Sequence, residues 1–205
     1  MGTSTEHWDG VYTRLDETQV SWFLDTPTSS LELLDAAGVG PQHSVVDVGA
    51  GAARLVDALL QRGFTDLTAL DVSDAGLARA RRRLGPAAAQ VRWEVADLLD
   101  WTPGRSFEVW HDRAVFHFLV DPDDRARYRE VLTSALAPGA LVVVGTFAQD
   151  GPQRCSDLPV ARYDADGLAE ALGDGLEVLD TRREEHRTPW DAVQTFTWLT
   201  LRRRS

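Results

Sequence analysis

The sequence predicts an α/β protein built on a doubly wound, mostly parallel seven-stranded sheet with an antiparallel C-terminal edge strand. Short apolar runs of β type alternate with longer segments of helix type, which is the pattern of a parallel sheet with helices on both faces. The first apolar run leads directly into a glycine turn at residues 49–51 and then into a segment of helix type. That order is typical of sheets that bind a nucleotide-like ligand.

The elements follow in order along the chain. Thr26 and Pro27 predict the start of a helix, with proline at the first helical position, and this helix ends at Gly38. Apolar runs predict the first five strands at residues 45–48, 66–71, 91–95, 107–111 and 140–147. The intervening helices are predicted at residues 52–61, 74–84 and 122–137.

The C-terminal part follows a loop that contains Cys155. A short helix is predicted at residues 165–172, and two further strands at 177–183 and 195–201. Because the last run alternates between apolar and polar residues, we expect the two strands to form a hairpin at the edge of the sheet.

Composition excludes several kinds of chemistry. The formal charge is −11, and all 21 basic residues are arginine, so a Schiff-base lysine, a pyridoxal phosphate lysine and a Walker lysine are absent. An acidic chain is a poor partner for nucleic acids and anionic membranes. Cys155 is the only cysteine and the five histidines lack metal-ligand spacing, so we expect no metal site. Without a signal core or a long apolar stretch, we expect a cytoplasmic location.

A carboxylate follows or ends each of the first three predicted strands. These are Asp47, Asp71 and Asp97. Gly49 and Gly51 permit positive φ and let the backbone approach a ligand closely. Asp71 lies twenty residues beyond Gly51, where an acid can accept hydrogen bonds from both hydroxyls of a ribose. Asp97 is then expected to lie beside the base.

At these residues the chain resembles the class I S-adenosylmethionine-dependent methyltransferases, which implies a Rossmann-like fold. In that family the D-x-G-x-G turn holds the methionine part of the cofactor, and the two following acids hold the ribose and the adenine amino group. The stricter dinucleotide pattern is not met, because Arg54 replaces its third glycine. The resemblance implies cofactor contacts from Tyr12, Trp22, Asp47, Gly49, Ala50, Gly51, Arg54, Asp71, Val72, Ser73, Asp97, Leu98, Asp112 and Arg113.

The acceptor side is expected at the end of the fourth strand, residues 111–118, and in the N-terminal leader. His117 and Asp112 are the candidate catalytic residues, because histidine exchanges a proton near neutral pH. The alternative for His117 is packing between two phenylalanines, and Asp112 and Arg113 are equally well explained as a structural ion pair. The H-W-D-x-x-Y leader resembles that of a methyltransferase subset. The substrate candidates are Trp8, Tyr12, His117 and Cys155, the last of which is otherwise an ordinary loop cysteine.

The resemblance predicts methyl transfer from S-adenosylmethionine, with S-adenosylhomocysteine as product, to a nitrogen, sulfur or oxygen of a small molecule. A protein lysine acceptor is the alternative within this class. An NAD(P)-dependent oxidoreductase and a non-catalytic cofactor-binding protein are the alternatives outside it. We expect one domain, residues 1–205, as a monomer or homodimer. Its parts are an N-terminal helical cap (1–39), a cofactor-binding core (40–147) and a substrate-side loop with edge hairpin (148–205).

Overall fold

The computed structural model describes residues 5–204 and contains one seven-stranded sheet, a two-stranded ribbon and six α-helices within that range. Residues 1–4 of the predicted cap and Ser205 lie outside the described part. The helices are α1 Thr5–Arg14, α2 Thr28–Ala36, α3 Leu55–Gln61, α4 Asp74–Leu84, α5 Pro122–Ala135 and α6 Ala165–Leu172. The strands are β1 Val45–Val48, β2 Leu67–Asp71, β3 Val91–Val95, β4 Phe107–Arg113, β5 Leu136–Phe147, β6 Arg154–Cys155, β7 Leu158–Pro159, β8 Leu176–Arg187 and β9 Val193–Arg203.

The large sheet has the strand order β3-β2-β1-β4-β5-β9-β8. The first five of these strands are parallel, and β9 is antiparallel to both of its neighbours. The predicted mostly parallel, seven-stranded sheet of an α/β protein is thereby confirmed.

One detail of the predicted C-terminal edge differs. The hairpin lies at the edge of the sheet, but the antiparallel C-terminal strand β9 is one place further in, and β8 is outermost. The reason lies in the two faces of β9, which bury Phe196 and Trp198 on one side and Leu199 and Leu201 on the other. A strand that is apolar on both faces is typical of a sheet interior, whereas β8 is mostly exposed and charged, as edge strands usually are.

Helices cover both faces of the sheet. Leu33 and Leu34 of α2, with apolar residues of α3 and α4, pack against one face. Tyr128 and Leu132 of α5, together with Leu168 of α6, pack against the other. None of the helices in residues 5–204 has the length and apolar character needed to cross a membrane.

Several predicted boundaries shift by a few residues. The helix predicted from residue 52 begins at Leu55. Gly49 and Gly51, with φ of 67° and 45°, keep the residues before Leu55 in a turn. The helix predicted to reach residue 137 ends at Ala135, and β5 begins at Leu136. Pro27 precedes α2 as its cap instead of forming its first turn.

The strand order reverses between β1 and β4, which are parallel neighbours at the centre of the sheet. Their carboxyl ends therefore open into a crevice, where ligands of open α/β sheets bind. The segments after β1, β2, β3 and β4 meet there.

Candidate active site

A cavity of about 930 Å³, counting its open mouth, lies at this crevice. One end, the carboxylate end, is formed by the segments after β1, β2 and β3, namely Gly49, Asp71, Val72, Asp97, Leu98 and Leu99. The other end, the aromatic end, is formed by Trp8, Trp22, Arg113, Phe118 and Cys155. Tyr12 lies between the two ends, because a Cβ atom added at Gly51 would meet both its hydroxyl oxygen and Asp71 Oδ2.

A second chamber of about 650 Å³ adjoins this main cavity and shares Tyr12, Trp22, Gly49 and Arg113 with it. The expected cofactor residues Asp47, Ala50 and Arg54 line only this chamber. Arg54 is held there by Glu17 and Asp25 at 2.7 and 2.6 Å.

Asp71 is buried at the end of β2, and backbone amides bind both of its carboxylate oxygens. Gly51 N donates to Oδ2 and Ser73 N donates to Oδ1, each at 2.8 Å. Burial raises the pKa of Asp71 to about 7, against the effect of those two amides, and the charges of Asp47 and Asp9 raise it further. Each oxygen keeps a second lone pair for a ligand hydroxyl, because a carboxylate has about four acceptor positions.

Asp97 is half-buried in the loop after β3. Its Oδ1 atom accepts a hydrogen bond from Leu99 N at 2.9 Å, which closes an Asx turn and fixes the carboxylate. No hydrogen bond to its Oδ2 atom is found within residues 5–204. Asp71 and Asp97 thus give the carboxylate end two fixed acceptors.

The glycine turn is covered by Tyr12 and Val115. A Cβ atom at Gly51 would lie 2.1 Å from the Tyr12 hydroxyl oxygen, and one at Gly49 would lie 2.1 Å from Val115 Cγ2. Any side chain at these positions would therefore displace the cavity walls. Gly51 is beneath Tyr12 and does not itself line either space, unlike Gly49.

Asp9 anchors α1 on the N-terminus of α4. Ser73 Oγ donates to Asp9 Oδ1 at 2.6 Å, and the same Oγ atom accepts from Gly76 N at 3.0 Å. Ser73 is fully buried in this capping arrangement and lines neither space, so the direct cofactor contact expected of it is not supported. Its position instead fixes α1, which carries Trp8 and Tyr12.

Four rings form an aromatic wall. Trp8 lies 5.7 Å from Trp22 and 5.2 Å from Phe118 between ring centroids, and Tyr12 lies 6.3 Å from Trp22. The leader and the downstream tryptophan are therefore brought together at the cavity. The faces of such rings attract cations, and so suit a positively charged sulfonium.

Sequence reasoning missed a buried chain of three polar residues in the wall of the second chamber. His111 Nδ1 lies 2.7 Å from Asp47 Oδ1, and His111 Nε2 lies 2.9 Å from Ser30 Oγ. The signal for the first contact was present, since Asp47 and His111 occupy paired positions of the neighbouring strands β1 and β4. Ser30 lies on α2, and no local pattern indicates that it reaches β4.

The two candidate catalytic residues do not line the cavity. Asp112 is fully buried, and it accepts hydrogen bonds from Tyr128 Oη at 2.8 Å and from Val115 N at 2.9 Å. It orders the turn that carries Ala114, whose φ is 69°, so its place is structural. It forms no ion pair with Arg113 within the described residues.

His117 is also a core residue. Its ring packs 4.5 Å from Phe118 and 4.6 Å from Phe147 between centroids, and none of its surface is exposed. Burial, aided by the charge of Arg113, lowers the pKa of His117 to about 3. His117 lines neither the main cavity nor the second chamber, so the packing alternative fits the structure.

Cys155 lines the aromatic end as a buried thiol, in the β6–β7 ribbon. Burial raises the pKa of Cys155 to about 11, so the thiol stays protonated near neutral pH. No cluster of three or more metal-binding side chains is found among residues 5–204.

Comparison with known proteins finds methyltransferases among the similar chains. Residues 45–139 match a family model described as a methyltransferase domain. The chain is 32% identical over 159 residues to a trans-aconitate 2-methyltransferase of Sinorhizobium medicae. This match covers 77% of this chain and 57% of the relative. It is 25% identical over 147 residues to the EEF1A lysine methyltransferase 2 of Danio rerio, which covers 66% of this chain and 63% of the relative. The chain thus spans about three fifths of the length of these curated relatives.

Solved structures share the fold. One of them concerns the conversion of a disulfide bond into a thioacetal group during echinomycin biosynthesis. It aligns with a TM-score of 0.79 at 24% identity, and the alignment covers 98% of this chain and 93% of that one. The N-methyltransferase NodS of Bradyrhizobium japonicum, in complex with S-adenosylhomocysteine, aligns at 0.76 and 16% identity, covering 99% and 100%. The chain therefore has the fold of these solved structures, and its residues 45–139 match a methyltransferase domain.

Proposed function

We propose that the protein transfers a methyl group from S-adenosylmethionine to a nucleophilic atom of a small-molecule acceptor. The observation that carries this proposal is the continuity of the main cavity. It joins two fixed carboxylates, Asp71 and Asp97, to the aromatic wall within one space. A cofactor and an acceptor can therefore meet inside it, as in-line transfer requires.

The residues at the carboxylate end fit the cofactor. Asp71 would accept hydrogen bonds from the ribose hydroxyls, and Asp97 with Leu98 would bind the adenine. The backbone at Gly49 and Ala50 borders the second chamber, where the methionine part would lie above Asp47. Tyr12 and Trp22 would contact the sulfonium, and a desolvated cation near a ring gains about 2 kcal/mol. When bound, S-adenosylmethionine supplies the activated methyl group.

The lining of the main cavity favours a mechanism in which the protein positions the acceptor and takes no proton from it. No histidine lines the main cavity among the described residues, and burial raises the pKa of Cys155 to about 11. The chain's contribution is then to orient the acceptor, whose lone pair forms the new bond as the carbon–sulfur bond breaks, and to exclude water. Acceptors that need no protein base fit best, such as a carboxylate, a thiolate or a neutral nitrogen.

The acceptor is proposed to be small because the cavity is a partly enclosed space of limited volume. Relatives are named for small acceptors, namely trans-aconitate and 1,6-didemethyltoxoflavin, the latter for its N1 atom. The relative from Danio rerio is named as a lysine methyltransferase, so a protein acceptor is the second candidate. Methyl transfer from labelled cofactor to small acids, amines and thiols, compared with transfer to protein extracts, separates the two.

Binding of S-adenosylmethionine and S-adenosylhomocysteine, measured by calorimetry with NADH as a control, tests the cofactor part of the proposal. Binding of NADH alone would favour an oxidoreductase instead. Micromolar cofactor binding with no transfer to any tested acceptor would favour a non-catalytic binding protein. A monomer or homodimer in the cytoplasm stays the predicted state, to be checked by sedimentation and cell fractionation.

A further inference from the structure

Arg113 is a buried arginine that lacks an anionic partner. Its Nη1 atom donates to the carbonyl oxygen of Trp22 at 3.1 Å. Its Nε and Nη2 atoms are buried and have no hydrogen-bond partner, and no ion pair within residues 5–204 includes Arg113. The two unpaired nitrogens form one edge of the guanidinium, the edge that binds a carboxylate with two parallel hydrogen bonds.

An unpaired buried charge is expensive, because burial removes the water that solvates it. Burial lowers the pKa of Arg113, and the nearby carboxylate of Glu184 does not offset that effect. Glu184 Oε2 is itself bonded by Trp198 Nε1 at 2.6 Å. By contrast, Arg83 is bonded to both Asp57 and Glu17. The missing partner of Arg113 is therefore a feature to be explained.

The position of Arg113 indicates which ligand would supply that partner. Arg113 borders the main cavity at its aromatic end, near Cys155 and Trp22. Its guanidinium lies 4.8 Å from the centroid of the Phe196 ring on β9. In the sheet, Arg113 pairs with Gly145 of β5, on the side of β4 away from β2, which ends at Asp71, and from β3, which precedes Asp97.

We propose that Arg113 binds a carboxylate of the methyl acceptor, so that the acceptor is an organic acid with an apolar or aromatic body. This inference rests on the proposed function. The free edge of Arg113 supplies the two donors, and Trp22 and Phe118 supply the apolar surface. Because the carboxylate of Glu184 is nearby, a singly charged carboxylate suits the free guanidinium edge better than a doubly charged phosphate does.

The cofactor has a carboxylate of its own, and Arg113 also borders the second chamber. The experiment must therefore distinguish these two sources. Calorimetry on wild type and on Arg113→Met measures, first, the affinity for S-adenosylhomocysteine. With the cofactor product bound, it then measures the affinity for benzoate, phenylacetate and indole-3-acetate, each compared with its primary amide.

We expect at least one acid to bind at least tenfold more tightly than its amide to wild type. Arg113→Met should abolish that difference while leaving the affinity for S-adenosylhomocysteine within threefold. Arg182→Met is the matched control, because Arg182 pairs with Glu32 on the surface and its loss changes the net charge equally. This control should keep the preference for acids.

A second measurement separates ligand binding from a structural role. Without a ligand, Arg113→Met should raise the Tm, because it removes an unpaired buried charge. Arg83→Met should lower the Tm, because it leaves Asp57 without its partner and removes one of the two arginines bonded to Glu17. A lower Tm for Arg113→Met would show that Arg113 is structural and would overturn the inference.

Two other results would also overturn it. If Arg113→Met weakens S-adenosylhomocysteine binding tenfold or more, the carboxylate that Arg113 holds belongs to the cofactor. If no acid binds better than its amide to wild type, the acceptor site does not select carboxylates. Failure of wild type to bind S-adenosylmethionine or S-adenosylhomocysteine would instead reject the proposed function itself.

Discussion

The Nδ1 atom of His111 lies 2.7 Å from the Oδ1 atom of Asp47, and both side chains are buried side by side on β1 and β4. Ser30 Oγ, 2.9 Å from His111 Nε2, completes the chain from α2. Asp47 therefore faces the second chamber with a fixed carboxylate. If the methionine part of the cofactor lies above Asp47, as we propose, His111 is predicted to hold the Asp47 carboxylate in place for it.

His111→Leu tests this relationship, since it leaves the buried Asp47 carboxylate without its partner. We expect a loss of about 1–3 kcal/mol in the free energy of unfolding, which is the cost of a buried unsatisfied group. Denaturant titration measures it. His43→Leu is the control, because His43 bonds only to the nearby Gly40 backbone and is part-buried. Equal effects of the two substitutions would contradict the role assigned to His111.

Asp71→Ala should weaken binding of S-adenosylmethionine by about 1–3 kcal/mol, because it leaves the ligand hydroxyls unpaired. Calorimetry on the folded variant measures the change in Kd. Asp66→Ala is the matched control, because Asp66 precedes the opposite end of the same strand and pairs with Arg105 on the surface. Unchanged affinity in a folded Asp71→Ala variant would rule out the ribose contact.

Gly76→Ala sets two effects against each other. Alanine favours a helix over glycine by about 1 kcal/mol. A Cβ atom at Gly76 would, however, lie 2.9 Å from Tyr12 Cε2 and 3.1 Å from the Gly51 backbone. We expect the clash to prevail, with weaker cofactor binding and a lower Tm, because Tyr12 is displaced from the glycine turn. At Gly104 the same substitution meets no atom within 4 Å, so Gly104→Ala should leave binding unchanged.

The raised pKa of Asp112 predicts that the stability of the protein depends on pH. Burial raises the pKa of Asp112 from 3.8 to about 6, although Tyr128 and the amides of Val115 and Phe116 donate hydrogen bonds to it. Well below pH 3.8 the carboxyl is protonated in both the folded and the unfolded state. As pH rises towards and through 6, the unfolded state releases its proton first, so the free energy of unfolding falls.

A shift of one pKa unit corresponds to about 1.4 kcal/mol, so the loss from Asp112 is at most about 3 kcal/mol. Asp112→Asn cannot titrate, and its free energy of unfolding should fall less than that of wild type between pH 4 and 7. Denaturant titrations at several pH values compare the two. Parallel curves would mean that Asp112 does not keep its proton in the folded state.

His117 is predicted to remain neutral. Because burial and the charge of Arg113 lower the pKa of His117 to about 3, its imidazole should not titrate between pH 5 and 8. Nuclear magnetic resonance of the ring protons, assigned with His117→Gln, measures this directly. An inflection near pH 6.5 would restore the histidine as a candidate base.

The sequence predicted what local patterns determine. Strand-end carboxylates such as Asp71 and Asp97 could be identified because they follow apolar runs directly, and both line the cavity. The polar chain in the wall of the second chamber could not, because Ser30 and His111 are separated by 81 residues and only the packing of α2 brings them together.

The two residues predicted to be catalytic do not line the cavity, for a different reason. Asp112 and His117 lie within a segment of mixed apolar and polar residues, where the sequence does not show which side chains face the core. The structure places both at zero exposure and leaves Arg113, between them in the chain, at the cavity. Likewise, the order of β8 and β9 follows from burial on both faces of β9, which is a tertiary property.

Calorimetric titration of S-adenosylmethionine and S-adenosylhomocysteine, with NADH on the same sample, tests the central claim most directly. We predict micromolar binding of the first two compounds and no binding of NADH. Binding of NADH without binding of either sulfur compound would contradict the methyltransferase assignment.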